Sequence, residues 1–350
     1  MSMSRLTLRD LQYRAARIGL VILGTTVVFA LLLLMTGLAN HFFLEPAHAV
    51  RVIGSDSWVL PSGTSGPFTS AATMDPSVAA AVGGVRQADP LITSRGSLWV
   101  GGRPREAIIV GYLFGRLGSP RVVRGHPATA SGQIVVDDST KLRPGARVRV
   151  GSTEFLVAGL TRNATLLAGV PMVFMSFDDA QRQVYRGEHV ATAVVVRGHP
   201  TSVPPGFEVL SNAAVVRDAR QPLKHAIDSI NLIRMLLWLV SAMIIGGVVY
   251  LSSMERRRDF AVLKAIGGSS RKLMTSLAVQ GVTIALTAAA LATGVQRLLA
   301  PKFPLRVEIP HRALLELPAI AVAVALLASA AGLRRVVRTD PAVAFAGPGV

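Results

Sequence analysis

Four long apolar runs divide the sequence into alternating apolar and polar segments. The runs cover residues 18–38, 235–251, 273–296 and 317–333, and none of them contains a charged residue. A helix that crosses a bilayer needs about 20 consecutive apolar residues. A charge at the bilayer centre costs at least about 2.5–3.5 kcal/mol, so uncharged runs of this length are a strong signal. The pattern therefore predicts four transmembrane α-helices.

The basic residues that flank these runs predict the orientation of the chain, because lysine and arginine are enriched on the cytoplasmic side of membrane proteins. They cluster in the N-terminal segment, in the loop between the second and third runs, and in the tail: Arg5, Arg9, Arg14, Arg17; Arg256, Arg257, Arg258, Lys264, Arg271, Lys272; Arg334, Arg335, Arg338. We therefore expect a multi-pass protein of the cell membrane with both termini in the cytoplasm. The long segment between the first two runs then lies outside.

This long outer segment has the pattern of a mixed α/β domain. Two alternating runs, 146–150 and 153–157, flank Gly151-Ser152 and predict a β-hairpin. A short helix is predicted over 178–185, with Ser176 as its cap. The remaining predictions are strands at 57–60, 107–110, 133–136, 172–174 and 193–196, a helical turn at 138–142 and an irregular loop over 62–84. The aspartate pairs at 137–138 and 178–179 are expected at turns or helix starts.

Both ends of the outer domain are predicted to be helical. An apolar stripe at three- and four-residue spacing leads into the second run and predicts a protruding stalk helix; it consists of Leu223, Ile227, Ile230, Ile233 and Leu237. We expect it to pack along an extension of the first span through Phe42 and Phe43. Pro46 is expected to end that extension.

The expected fold is thus a membrane protein with four transmembrane helices and a large extracytoplasmic α/β domain between helices 1 and 2. The predicted divisions are an interfacial helix 1–17, span 1 with stalk 18–44, the outer domain 45–221, stalk and span 2 222–253, a cytoplasmic helix 254–272, span 3 273–296, an outer loop 297–316, span 4 317–333 and a cytoplasmic tail 334–350.

The first run also permits a second interpretation, as a cleaved signal peptide. Its basic start fits, and Ala47-His48-Ala49 matches an A-x-A cleavage site. The apolar run is longer than a usual signal-peptide core, and the A-x-A match falls well beyond its end. An uncleaved span is the better interpretation.

Composition and charge exclude several classes of function. The formal net charge is +17, but much of it lies in the cytoplasmic segments, where anionic lipid attracts it, so we do not expect nucleic-acid binding. There is no cysteine, and the seven histidines are scattered, so neither a disulfide framework nor a metal site is expected. No phosphate-binding G-x-x-x-x-G-K-S/T loop and no catalytic constellation occurs, so an enzyme is not expected.

The charged segment between the second and third runs is the most informative part of the chain. It covers residues 255–273 and reads ERRRDFAVLKAIGGSSRKL. Phe260, Leu263 and Ile266 share one helical face, and the two glycines at 267–268 can stop the helix. Ser269 or Ser270 can then cap the next helix, which becomes the third span. The sequence predicts a short amphipathic helix, a sharp turn and a rigid connection into the membrane.

This segment resembles the motif of the FtsX-like permeases of ABC transporters, including the MacB-type mechanotransmitters. The family pattern is E-R-x-x-E-I/F-x-x-L-K/R-A-I/L-G, and Asp259 replaces the second glutamate. The outer run RPGARVRVGSTEFLVAGL, the start LTLRDLQYRAARIGLVIL and the closing RRVVRTDPAVAF are also similar to family segments. The resemblance covers essentially the whole chain.

The resemblance implies a permease subunit that couples ATP hydrolysis on a separate cytoplasmic ATPase to movement of the outer domain, for export or mechanotransmission. It implies a dimer with a second copy or a paralogue, contact with membrane lipid, and ATP and magnesium on the partner ATPase only. The implied ATPase-coupling residues are Glu255, Arg256, Arg257, Arg258, Asp259, Leu263, Lys264, Ala265 and Gly267.

Two alternatives stay open. The run A-x-x-x-A-x-G at 261–267 is loosely similar to the coupling loop of importers of amino acids or other small molecules. Importer permeases usually have more spans and a smaller outer domain. The division-linked members of the family instead regulate a cell-wall hydrolase without transport, and such a role would require an extracytoplasmic partner protein.

Overall fold

The computed structural model describes residues 3–255, 270–303 and 305–337. The chain divides into two compact units. The first contains Met1–His41 and Asp228–Val350, and the second contains Phe42–Ile227. The first unit corresponds to the predicted membrane helices and the second to the predicted outer domain.

The helices are few and mostly long. They are α1 (Met3–Ile53), α2 (Phe177–Tyr185), α3 (Asn212–Arg220), α4 (Lys224–Glu255), α5 (Ser270–Leu299) and α6 (His311–Val337). Within the described residues, three stretches are long and apolar enough to cross a membrane, namely Ile18–Ile53, Asn212–Ser252 and Ala278–Lys302. They contain or overlap the first three predicted spans. The fourth predicted span, 317–333, lies within the single helix α6.

The membrane unit is held together by a seam of small side chains. Four alanines of α5 are buried at three- and four-residue spacing, and they pack with Ala321 and Ala325 of α6. Phe29 and Leu33 of α1 belong to the same cluster. The seam residues on α5 are Ala285, Ala288, Ala289 and Ala292. Because small residues let helix backbones approach closely, this spacing favours tight packing of α5 on α6.

The predicted helix end at Pro46 is wrong, because α1 continues through Pro46 to Ile53. A proline inside a helix removes one backbone hydrogen bond and strains the preceding turn. Packing offsets this cost here. Ala49, Val50 and Ile53 are 0–3% exposed and belong to a core cluster of the outer domain. The last two turns of α1 are therefore an internal part of that domain.

The strands of the outer domain form one twisted sheet. They are β1 (Ser57–Pro61), β2 (Gln87–Val100), β3 (Arg103–Tyr112), β4 (Arg124–Gly125), β5 (Gln133–Asp137), β6 (Arg147–Val150), β7 (Thr153–Thr161), β8 (Thr165–Leu166), β9 (Val170–Ser176), β10 (Ala193–Arg197) and β11 (Phe207–Ser211). Their order is β11-β1-β10-β2-β3-β9-β5-β7-β4, with β6 beside β2 and β7, and β8 beside β9. The pairs β3–β9 and β5–β7 are parallel and the others are antiparallel.

The sheet separates two hydrophobic cores, and the helices cover opposite faces. Along β10, Ala193 and Val195 belong to one core while Val194 and Val196 belong to the other. This alternation is the two-residue period of a strand that is buried on both faces. The ends of α1 and α3 lie in the first core, and α2 lies in the second through Phe177 and Ala180.

Most local predictions for the outer domain are confirmed. The hairpin forms as β6–β7, with Val148 opposite Phe155. Ser176 caps α2 by accepting a hydrogen bond from the Asp179 N–H. Asp137 caps the 3-10 turn Asp138–Thr140 in the same way. The predicted irregular loop contains one ordered element, a 3-10 helix at Pro76–Ala81.

The longest strand of the domain is absent from the sequence predictions. β2 extends over Gln87–Val100 and pairs with β10, β3 and β6. Pro90, Arg95 and Gly96 interrupt its apolar pattern, so it does not read as a strand locally. Its partners on both sides stabilise it instead.

Candidate functional site

The predicted coupling segment lies between two helices of the membrane unit. Glu255 is the last residue of α4, and Ser270 is the first residue of α5. The other predicted coupling residues lie outside the described residues, and their role stays a prediction: Arg256, Arg257, Arg258, Asp259, Leu263, Lys264, Ala265 and Gly267. The structure thus describes the two helices, α4 and α5, that the segment connects.

These two helices are joined by a polar contact close to the segment. The side-chain amide of Gln280 on α5 donates a hydrogen bond to the Ser252 hydroxyl on α4, with an Nε2–Oγ distance of 3.3 Å. Such bonds contribute about 0.6 kcal/mol each on average within a membrane. Ser252 precedes Glu255 by less than one helical turn.

A second group of residues fixes the C-terminal part of α1 within the outer domain. We call it the α1 clamp: Phe43, Glu45, Ala168, Gly169 and Arg220. The Glu45 side chain is almost fully buried, with a residue exposure of 1%. Its carboxylate accepts hydrogen bonds from the Ala168 N–H at 2.9 Å and from the Gly169 N–H at 2.7 Å. A buried carboxylate needs such donors, because an unpaired one is very costly.

The turn that meets Glu45 has an unusual backbone. Leu167, Ala168 and Gly169 have φ values of 55°, 67° and 90°, all in the left-handed region. This conformation is unfavourable for residues other than glycine, at a cost of about 1–2 kcal/mol each. It directs two consecutive N–H groups towards one side, and the Glu45 carboxylate binds both. The clamp therefore stabilises a strained connection between β8 and β9.

Arg220 contacts the same part of α1 at Phe43, two residues before Glu45. Its Nε donates a hydrogen bond to the Phe43 carbonyl at 3.0 Å, and its guanidinium lies 3.8 Å from the Phe43 ring centroid. A cation over an aromatic face adds roughly 0.5–1 kcal/mol at exposed sites. Both sets of contacts lie within four residues of Pro46. The end of α1 is thus held by β8–β9 and by α3.

In the membrane unit, the segment 305–310 lies along α1. The Glu308 N–H donates to the Gly37 carbonyl at 3.2 Å, and the Asn40 side chain donates to the Glu308 carbonyl at 2.9 Å. His41 is 3% exposed, and its Nδ1 lies 3.5 Å from the Glu308 carboxylate. A Cβ at Gly37 would overlap with Val307 and Ile309, so glycine permits the close approach. We call the segment 305–310 the α1 strap.

Comparison with known proteins identifies the family. Residues 231–341 match the family that is described as "FtsX-like permease C-terminal". An uncharacterised ABC transporter permease of Mycobacterium tuberculosis strain H37Rv is 39% identical over 344 residues, which cover 97% of this chain and 99% of the relative. A second such permease of this strain is 38% identical with the same coverage. The chain belongs to the FtsX-like permease family of ABC transporters.

Two solved structures are similar to part of this FtsX-like permease. The periplasmic region of MacB from Actinobacillus actinomycetemcomitans matches 49% of the permease and 96% of that chain, with 15% identity and a TM-score of 0.36. The extracellular domain of the noncanonical ABC-type transporter YknZ from Gram-positive bacteria matches 45% of the permease and 99% of that chain, with 14% identity and a TM-score of 0.33.

Apart from Phe43, the clamp and strap residues of the permease are absent from the sequence predictions. Glu45 carried one usable signal, because it is a single acidic residue in an otherwise apolar helical stretch, next to a proline. Such a residue has to find buried donors. The donors are backbone N–H groups more than 120 residues away, as the contacts with Ala168 and Gly169 show. The sequence around Glu45 does not indicate which N–H groups these donors are.

Proposed function

We propose that this permease is the membrane subunit of an ABC transporter in which a separate cytoplasmic ATPase drives movement of the outer domain. The movement serves export or mechanotransmission. Membership of the FtsX-like permease family supports the role, and an ABC transporter permease implies a partner ATPase subunit. ATP and magnesium bind to that ATPase, and the permease chain supplies no cofactor site.

In this proposal, the segment between α4 and α5 docks on the ATPase. Its apolar face, formed by Phe260, Leu263 and Ile266, enters a groove of the ATPase, and the arginines at 256–258 contact its acidic surface. Both termini lie in the cytoplasm, four helices span the membrane, and two permease copies or paralogues assemble on an ATPase pair. The predicted coupling residues Glu255 and Gly267 hold the segment at the end of α4 and at its turn.

One observation carries the proposal. The motif lies in a short connection between α4 and α5, two helices that are hydrogen-bonded to each other at Ser252 and Gln280. A helix is stiff along its axis because every turn is hydrogen-bonded to the next. Displacement of the connection is therefore transmitted along α4, which begins at Lys224, directly after the last elements of the outer domain.

The α1 clamp provides the second mechanical requirement. A domain that is moved by its flanking helices has to resist being detached from them. Glu45 and Arg220 fix the last turns of α1 to two separate elements of the outer domain. The strained turn at 167–169 is stabilised by the same contacts. We infer that the clamp keeps the outer domain coupled to α1 during the stroke.

The test is ATP turnover by the copurified ATPase in proteoliposomes that contain the permease. Gly267→Pro, or charge reversal of Arg256, Arg257 and Arg258, is expected to lower permease-dependent stimulation at least about fivefold, the lower end of typical coupling energies. The matched control reverses Arg103 and Arg105, two exposed arginines of β3 in the outer domain.

Insertion and complex formation are measured in the same preparations, by membrane flotation and by size exclusion. Unchanged turnover in the Gly267→Pro and arginine variants, with normal insertion, would refute the coupling role. An equal loss in the Arg103 and Arg105 control would also refute it, because it would assign the effect to total charge.

A further inference from the structure

The outer domain contains a cavity with a strongly basic lining. Its volume is about 800 Å³, and it lies where the last turns of α1 meet the end of β7 and the segment before β4. Cavities that bind small molecules usually measure about 300–1,000 Å³. Four basic side chains line this one: His48, Arg51, Arg121 and Arg162. None of its lining residues is acidic.

Hydrogen bonds between the walls show that the cavity is preformed. The Gly118 N–H donates to the Ile53 carbonyl at 3.0 Å, which joins the segment before β4 to the end of α1. The Thr161 hydroxyl donates to the Arg121 carbonyl at 2.9 Å, which joins the same segment to the end of β7. A ligand would therefore meet an ordered site and would bear little of the cost of ordering it.

The three arginines of the cavity differ in whether an acidic side chain of the protein already pairs with them. Arg162 pairs with Asp138, with an Nε–Oδ2 distance of 3.2 Å. Within the described residues, the guanidinium groups of Arg51 and Arg121 make no hydrogen bond or ion pair, and both residues are exposed. Two free guanidinium groups in the lining of one cavity are suited to a group that offers several anionic oxygens, because arginine binds phosphate in a bidentate manner.

The cavity also has an apolar wall. Val52, Val122 and Val123 contribute to the lining, and Val123 is 45% exposed. An inorganic anion would leave this wall in water and would fill a small part of the volume. A ligand with a phosphate group and an adjoining hydrocarbon portion would cover the valines, and burial of that apolar surface would favour binding.

We propose that this cavity, the arginine pocket, binds the phosphate group of an anionic amphiphile. Arg51 and Arg121 contact the phosphate oxygens, and the valines contact the apolar portion. The pocket is defined by the outer domain alone, so this proposal does not depend on ATPase coupling.

The test measures binding to the purified full-length permease in micelles of a neutral detergent, without ATPase. The probes are dihexanoyl phosphatidylglycerol, its zwitterionic counterpart dihexanoyl phosphatidylcholine, and inorganic phosphate. Isothermal titration calorimetry measures the affinity of the permease for each probe. We expect the anionic lipid to bind at least about tenfold more tightly than either of the other two, a difference of 1.4 kcal/mol.

The variants separate the pocket from general charge. The double variant Arg51→Gln with Arg121→Gln is expected to lose at least about tenfold in affinity for the anionic lipid. The matched control, Arg103→Gln with Arg105→Gln, removes two exposed arginines of the same domain outside the pocket and should bind like the wild type. Val123→Glu is a second pocket variant; it adds a negative charge to the lining and leaves both arginines in place.

Each result decides the proposal. Equal affinities in the wild type and all variants overturn it, as does an equal loss in the pocket and control variants. If inorganic phosphate binds as tightly as the lipid, the amphiphile part is overturned. If phosphatidylcholine binds as tightly as phosphatidylglycerol, the anion part is overturned. Thermal unfolding of each variant verifies that it is folded, and Val123→Glu decides the outcome if the double variant is not.

Discussion

Each of three buried carboxylates in the outer domain accepts a hydrogen bond from at least one backbone N–H group in a distant part of the chain. Glu45 binds the N–H groups of Ala168 and Gly169, and Asp137 binds those of Ser139 and Ala164. Asp179 binds the Gly132 N–H and the Ser131 hydroxyl. A charged acceptor makes a shorter and stronger hydrogen bond than a neutral one. These acids therefore fix loops whose own sequences specify little structure.

Replacement of Glu45 by glutamine tests the α1 clamp. The variant removes the negative charge and turns one acceptor oxygen into a donor, which would face an N–H group. We expect the free energy of unfolding of the full-length permease to fall by about 1–3 kcal/mol. Denaturant unfolding in a neutral detergent measures it. Glu154→Gln is the control, because Glu154 is an exposed carboxylate of β7; equal effects of the two variants would contradict the clamp.

Asp179 gives a prediction about pH. Burial alone would raise the pKa of its carboxyl group, but hydrogen bonds from Ser131, Gly132, Ser176 and Arg182 outweigh burial and hold the pKa below the ordinary value of 3.8. A carboxyl whose pKa is lower in the folded state stabilises the fold above the unfolded-state pKa. That contribution is lost as the pH falls through the folded-state pKa.

Asp179→Asn should therefore destabilise the permease most at neutral pH, and its difference from the wild type should shrink below about pH 4. The free energy of unfolding, measured from pH 7 to pH 3, follows this change. Asp178→Asn is the matched control, because Asp178 is the exposed neighbour in the first turn of α2. If the free energies of unfolding of Asp179→Asn and the wild type differ by the same amount at every pH, the lowered pKa of Asp179 is contradicted.

At the scale of elements, α1 has three kinds of environment along its length. Phe29 and Leu33 belong to the alanine-rich seam of the membrane unit. Gly37, Asn40 and His41 contact the α1 strap. The turns after Pro46 belong to a core of the outer domain. One helix thus carries residues with separate structural roles. The residues are large and apolar at the seam, and small or polar at the strap.

The α1 strap depends on the absence of a side chain at residue 37. In Gly37→Ala, the new Cβ would overlap with Val307 and Ile309, so the segment 305–310 has to move away. A Leu305→Cys probe should then react faster with a maleimide, and the chain has no other cysteine to interfere. Gly294→Ala is the control, because within the described residues no atom beyond the local helix backbone lies within 4 Å of the added Cβ. Equal labelling rates in Gly37→Ala and the control would contradict the strap.

At the scale of the whole molecule, the chain combines two units of different character. One is a group of apolar helices with an alanine-rich seam, and the other is a sheet with a core on each face. The outer domain contains no cysteine, so no disulfide supports it. Its size allows a sufficient core, because larger domains bury a larger share of their surface. Its stability therefore rests on packing and on buried hydrogen bonds.

The predicted orientation is testable with single cysteines in this cysteine-free chain. Ser152 lies in the exposed turn between β6 and β7, and Ser269 lies in the predicted cytoplasmic segment. In intact cells, a membrane-impermeant maleimide should label Ser152→Cys but not Ser269→Cys. After permeabilisation it should label both, since the arginine-rich loops are retained inside. Labelling of Ser269→Cys in intact cells would refute the topology and, with it, the coupling role.

Features with a local cause could be predicted from the sequence. Apolar runs of membrane length, the β6–β7 hairpin and the Ser176 cap each depend on residues within a few positions of one another. The same holds for the motif at 255–273, which led to the family. The helix through Pro46 could not be predicted, because burial of Ala49 and Ile53 in a core assembled from distant strands outweighs a local preference.

The sequence by itself therefore determined the membrane character, the elements with a clear period and the family. Only the tertiary structure decided which strands pair, where β2 runs, and which groups meet at the α1 clamp and in the arginine pocket. The physical reason is distance along the chain. Glu45 meets Gly169, and Arg51 shares a cavity with Arg121 and Arg162, because the sheet brings these segments together. Periodicity and capping act over a few residues and carry no information about such contacts.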